Sequence, residues 1–70
     1  MKVYDANYLY DDADYSVGLY SSSDKAIHEL LSISYSYDLL TVYERYIDTN
    51  LEDKVVWECD EGVETFYAWY

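Results

Sequence analysis

The sequence predicts an α+β domain, an antiparallel sheet of four to five strands with one helix packed on a face, in the order β-β-α-β-β-β. Valine, leucine and tyrosine gather in short runs separated by acidic or serine-rich breaks, and one stretch alone shows clear helical spacing. At 70 residues the chain makes a single domain, 1–70. A chain of this size hides only about 60% of its unfolded surface, so a thin core and no large active-site cavity are expected.

The run "MKVYDANYLY" is rich in strand-forming residues, and "DYSVGLYS" reads as its hairpin partner across an acidic tip. In "YSSSDKAIHELLSIS" the serines offer helix N-caps and Asp24 suits the first turn. Ile27, Leu30, Leu31 and Ser34 mark one face, and the helix is expected to stop near residues 34–37. The segment "LLTVYERYID" fits a helix by Leu39, Tyr43 and Tyr46 and a strand by the alternation of Val42, Glu44, Tyr46 and Asp48; the strand is favoured. "TNLEDK" reads as a polar loop, "VVWEC" as a strand, "DEGV" as a tight turn on Gly62 and "ETFYAWY" as a final strand. Eleven tyrosines against one phenylalanine mean that many tyrosines must serve the core or cross-strand pairs, with Trp57 and Trp69 as core candidates.

Fifteen acids against four bases give a net charge of −11, beyond the magnitude of about 2 to 8 usual for a small soluble domain. Such a field repels nucleic acid and anionic membrane and steers association toward basic protein surfaces. A lone Cys59 forms no internal disulfide, and there is neither a leader pattern nor an apolar run of about 18 residues, so the cytoplasm is the expected compartment.

Catalysis has little to work with. His28 sits on the helix beside Glu29, and Cys59 lies between Glu58 and Asp60, an anionic setting opposite to what activates a thiol nucleophile. No enzyme activity and no cofactor are expected. Asp11, Asp12 and Asp14 supply oxygen ligands, but the glycine and the distal glutamate of a calcium loop are missing, so a solvated hairpin tip is the favoured reading. No metal site is expected.

What remains is the charge itself. Carboxylates at i and i+2 on a strand lie roughly 6.6 Å apart, and duplex DNA advances about 3.4 Å per phosphate, so acids on a sheet can mark out a phosphate-like row. The rows are Glu44 with Asp48 and Glu58 with Asp60, joined by Asp11, Asp12 and Asp14, by Glu52 and Asp53, and by Glu61 and Glu64 at the last turn. Tyr8, Tyr10, Tyr15, Tyr43 and Tyr46 are interleaved with them as anchors of the kind that dominate interfaces.

The run "MKVY", then "VGLYSSSDKAIHELL" and later "VYERYID", resembles a family of short, uncharacterised phage and bacterial proteins that share a strand pair, a Ser-Ser helix start and a later acidic, tyrosine-containing strand. The resemblance spans about two thirds of the chain and implies architecture alone. By size and acidity the chain also resembles phage-encoded anti-CRISPR and anti-restriction inhibitors. That second resemblance implies a DNA mimic occupying the basic DNA-binding surface of a host defence complex, a CRISPR effector before a restriction enzyme, in the host bacterial cytoplasm. It would bind neither nucleic acid nor membrane directly. The expected partner-binding residues are Tyr10, Asp11, Asp12, Asp14, Tyr15, Glu44, Asp48, Glu52, Asp53, Asp60 and Glu61. A different class of function, an interaction module that oligomerises through its aromatic C-terminal strand with acidity serving solubility, is the alternative; a monomer is slightly favoured.

Overall fold

The computed structural model describes residues 1–33 and 37–68. Strands β1 (Lys2–Tyr10) and β2 (Ala13–Tyr20) form a hairpin, helix α1 (Ser23–Leu31) follows, and β3 (Leu39–Tyr46), β4 (Lys54–Asp60) and β5 (Val63–Phe66) complete the chain. All neighbours are antiparallel in the order β2-β1-β3-β4-β5, so the helix bridges the first hairpin and a three-strand meander. This is the α+β arrangement that the sequence predicts, and residues 39–46 are strand rather than helix.

The helix begins where Ser22, extended at φ −145°, accepts the Lys25 backbone N–H on its hydroxyl. It ends earlier than expected. The Ser32 hydroxyl donates to the Glu29 carbonyl at 2.9 Å, the Ser32 N–H donates to the same carbonyl at 3.2 Å and the Ile33 N–H to the Leu30 carbonyl at 3.3 Å, closing the last turn. Ala26 and Leu30 form the buried stripe, with Ile27 and Ile33 half-buried beside it. Leu31, expected on that stripe, lies about 100° further round the helix axis and is 54% exposed. Ser34 and Trp69 lie outside the described residues.

α1 packs chiefly on β1, β2 and β3. Because paired residues share a face, Tyr4, Ala6 and Tyr8 align with Glu44, Val42 and Leu40, and these in turn lead to Trp57 and Cys59 on β4. Ala6, Ala26, Leu30, Leu40, Val42, Trp57 and Cys59 make the core. Tyr4, Tyr8, Val17 and Tyr20 pack against it, so tyrosines do widen a small aliphatic centre. Bulges opposite Ala6/Asn7 and Val42/Tyr43 strengthen the local twist of the sheet.

Both hairpins turn on two residues with positive φ: Asp11 (52°) and Asp12 (63°), then Glu61 (50°) and Gly62 (82°). This is the mirror-image turn that matches strand twist. Aspartate tolerates the left-handed region because its short side chain can bond locally, whereas glutamate has no such compensation. A Cβ at Gly62 would meet nothing within 4 Å, so its φ alone opposes substitution. Gly62→Ala is therefore expected to destabilise the fold by about 1 kcal/mol, and Glu61→Asn to stabilise it by a few tenths or more. Urea unfolding followed by circular dichroism reads both; a neutral Gly62→Ala would contradict the turn assignment.

Candidate interaction surface

The antiparallel register decides where the charges go. β1 ends at Tyr10, β3 begins at Leu39 beside Leu9, β4 ends at Asp60 beside Leu39, and β5 begins at Val63 beside Asp60. Both two-residue turns consequently lie at the same end of the sheet. That end carries Asp11, Asp12, Asp14, Asp38, Asp60 and Glu61, and the Asp11 N–H donates to Asp38 Oδ2 at 3.2 Å, tying the first turn to the start of β3.

The four bases lie at the other end. Lys2 pairs across from Tyr46, Arg45 from Val3 and Lys54 from Glu44. Lys25 donates from Nζ to Ser21, one residue past the end of β2. Among the described residues no lysine or arginine stands at the end that holds the two turns. The acids of that end thus meet solvent with no cation of their own chain to neutralise them.

The sheet face opposite the helix presents Asp5, Asn7, Ser16, Asp14, Thr41, Tyr43, Arg45, Glu58 and Asp60, by strand alternation. Asp5 is only 5% exposed. Its carboxylate receives the Arg45 guanidinium at 3.2 Å and the Ser16 hydroxyl at 3.1 Å, and Arg45 also meets Asp53 at 3.1 Å. A hollow of about 170 Å³ lies among Asp5, Asn7, Asp14, Tyr43, Arg45 and Asp53, so its lining runs from Asp14 of the acidic end to Arg45 and Asp53 of the other. Burial, then the carboxylates of Asp14, Glu58, Asp5 and Asp53, hold the Tyr43 phenol above its ordinary value. Burial and the neighbouring Glu58 do the same to Tyr67.

The residues expected at the interface divide into two groups. Tyr10, Asp11, Asp12, Asp14, Tyr15, Asp60 and Glu61 gather at or beside the acidic end; Tyr15 stacks on Tyr8 with ring centres 5.0 Å apart and planes at 17°. Glu44, Asp48, Glu52 and Asp53 lie at the opposite end, because β3 runs away from the turns and the loop after it belongs there. Glu44 is on the helix side of the sheet, accepting the Tyr46 hydroxyl at 2.6 Å and facing Lys2 at 3.9 Å. That hydrogen bond first, then burial, raises the Tyr46 phenol, while Glu44 is the main cause that raises Lys2. The row Glu44 with Asp48 is not formed, since Asp48 has left the strand with φ 62°. Glu58 and Asp60 do share a face, and Glu64 instead accepts the Trp57 indole N–H at 3.1 Å.

Asp38, Asp5 and Arg45 were absent from the expected set. Alternation marks Val3, Asp5, Asn7 and Leu9 as one face of the first strand and would have placed Asp5; Asp38 joins the tip through pairing that only the folded register reveals. Among the described residues no group of three or more His, Cys, Asp or Glu converges on a point that could hold a metal ion. Nor is any described helix long and apolar enough to cross a membrane. No family model, curated protein or solved structure matches the chain.

Removing Arg45 would leave the Asp5 carboxylate with the Ser16 hydroxyl as its partner among the described residues. Arg45→Leu should destabilise by about 2 kcal/mol, and adding Asp5→Asn should recover a good part of it, a coupling visible in a double-mutant cycle by urea unfolding. Strict additivity would mean that the pair contributes nothing. For Tyr43 the folded-state value lies above the unfolded one, so its contribution is complete below about pH 10 and is lost as pH rises through the folded value. Tyr43→Phe is expected to flatten the decline of stability above about pH 10, measured by unfolding across an alkaline series.

Proposed function

We propose that the chain is a non-catalytic inhibitor that sets its acidic end on the nucleic-acid-binding surface of another protein and excludes nucleic acid by charge mimicry. The observation that carries this reading is the segregation of charge: Asp11, Asp12, Asp14, Asp38, Asp60 and Glu61 share one end, and every lysine and arginine sits at the other. Acidity spread for solubility would need no such sorting. A molecule charged on one end is oriented as well as attracted by a cationic partner.

Spacing supports the same reading. The two turns stand three strand spacings apart, about 14 Å at about 4.8 Å per strand, and the major groove between phosphate ridges is about 12 Å wide. Asp38 lies between the two ridges of acid. Lysines and arginines that grip phosphates on both sides of a groove would find carboxylates at comparable separation. Tyr10 and Tyr15, both half-exposed beside the first turn, add amphipathic contact that slows release where charge alone only speeds encounter.

Size and acidity point to a phage-type inhibitor of host defence, with a CRISPR effector the first partner to test and a restriction enzyme the second. Self-association through the C-terminal strand has the exposure of Val63 and Phe66 in its favour and the charge of −11 on each copy against it.

The test is displacement of target DNA from a purified effector complex in a gel-shift titration at about 50 and about 200 mM salt. Wild-type protein should displace DNA at the lower salt and weaken sharply at the higher. Asp11→Asn, Asp12→Asn and Asp14→Asn combined should abolish displacement while leaving the circular dichroism spectrum unchanged, because they relieve repulsion at an exposed turn. Glu52→Gln with Asp48→Asn, at the far end, should have little effect. Displacement indifferent to salt and to the triple change would sink the proposal.

A further inference from the structure

β5 ends the sheet order, and among the described residues no strand lies on its outer side. The ladder's phase shows which groups face outward. Asp60 and Val63 flank the two-residue turn as a hydrogen-bonded pair, Glu58 and Thr65 form the next such pair, and the Tyr67 N–H reaches the Val56 carbonyl at 3.0 Å. The backbone N–H and C=O of Glu64 and Phe66 therefore point away from β4. They form an open template for one more strand.

The side chains are prepared for contact as well. Val63 is 68% and Phe66 69% exposed, an unusual investment of apolar surface on a four-residue edge. The far edge differs, since β2 is broken by the bulge near Val17 and lies under the helix, both of which hinder pairing. Around β5 the charges are all negative: Glu58 and Asp60 on the adjoining strand, Glu61 in the turn and Glu64 on β5 itself. A second copy would bring the same carboxylates edge to edge.

We infer that the β5 edge accepts an extended segment of a partner protein in which lysine or arginine alternates with apolar residues, pairing with the outward backbone groups of Glu64 and Phe66. On the face away from the helix the apolar residues would cover Val63, and on the helix side, which Glu64 and Phe66 share with Cys59 and Trp57, the basic ones would meet Glu64 and the Phe66 ring. The inference rests on the proposed function for the sign of the partner's charge, and adds the means by which a salt-sensitive encounter becomes a held complex.

The two contributions can be separated with a capped peptide alternating lysine and valine and its glutamate-valine counterpart. Phe66→Ala removes the ring and keeps the outward N–H; Phe66→Pro removes both and spares the bonds to β4, a position that edge strands tolerate. The lysine peptide should bind wild-type protein and slow amide exchange at Glu64 and Phe66, while the glutamate peptide should not bind. Phe66→Pro should bind about tenfold more weakly than Phe66→Ala, the effect of one lost interchain hydrogen bond. Should the proline variant fail to fold, the exchange pattern of the wild-type protein still decides the matter. The inference is overturned by equal binding of the two variants, by protection that avoids Glu64 and Phe66, or by no binding of the lysine peptide. It is overturned too if the same amides are protected without peptide in a protein that sediments as a dimer, since a second copy is then the occupant. Loss of binding in salt with no difference between the variants removes the edge and leaves charge mimicry standing. Equal capture of both peptides, with loss in Phe66→Pro, overturns the basic partner at this edge and leaves charge mimicry to the displacement of DNA at the two salt concentrations.

Discussion

The antiparallel pairing of β1 with β3, which sets Ala6 against Val42 and Tyr8 against Leu40, is the constraint from which the other arrangements follow. It joins residues more than thirty positions apart, so its loop-closure entropy must be offset by burial, and the helix sits in the intervening chain to provide it. Ala6 is small enough for the helix to come close, letting Ala26 and Leu30 reach Leu40 and Val42 without a gap. A slip of one residue would turn Asp5 and Asn7 into the helix and Ala6 and Tyr8 out to solvent. Both faces therefore resist the slip, one through the apolar core and the other through the ion pair that Asp5 makes with Arg45.

The same register sorts the charge. Once β1 and β3 are antiparallel, the turns β1–β2 and β4–β5 lie at the end where β1 finishes while the β3–β4 loop lies at the other, and the acids of the two tight turns are forced together. Folding therefore works against repulsion at that end, and only high exposure to water makes it tolerable. At the opposite end Lys2, Arg45 and Lys54 stand among Glu44, Asp53 and Tyr46, where ion pairs relieve part of the field. A chain selected for solubility alone has no reason to keep its cations away from its densest acids. Selection for a cationic partner does supply one, because any lysine at the tips would repel the surface to be bound.

Local signals made much of the fold legible. The acidic break in "YLYDDADY" is a turn because aspartate accepts positive φ, and the serine run before Asp24 is a helix start because a hydroxyl caps free N–H groups. The period-2 pattern of Val42, Glu44 and Tyr46 correctly outweighed the helical one in residues 39–46, as β-branched and aromatic residues suit a pleated surface. The grouping of the acids was legible only in part. Asp11, Asp12, Asp14, Asp60 and Glu61 were found together because hairpin tips are local features, whereas Glu44, Asp48, Glu52 and Asp53 were misgrouped with them. Their separation depends on strand direction, which composition does not encode. Burial of Asp5 and its partnership with Arg45 depend on pairing across the sheet for the same reason.

Helix coverage explains why the two ends of the strand order behave differently. α1 is nine residues long, about 13 Å at 1.5 Å per residue, and spans β2, β1 and β3 but leaves β5 without an apolar cover among the described elements. Trp57 compensates within the sheet, buried on β4 with its indole N–H committed to Glu64. That bond holds Glu64 against its own hairpin and keeps β5 paired despite its short length. The hairpin is thus anchored on its inner side by tryptophan, while its outer side has no neighbouring strand among the described residues and Val63 and Phe66 are exposed on its two faces. Anchoring one side and opening the other is what a strand needs if it is to receive a partner without the sheet unravelling. The acids around it then restrict which partner can come near.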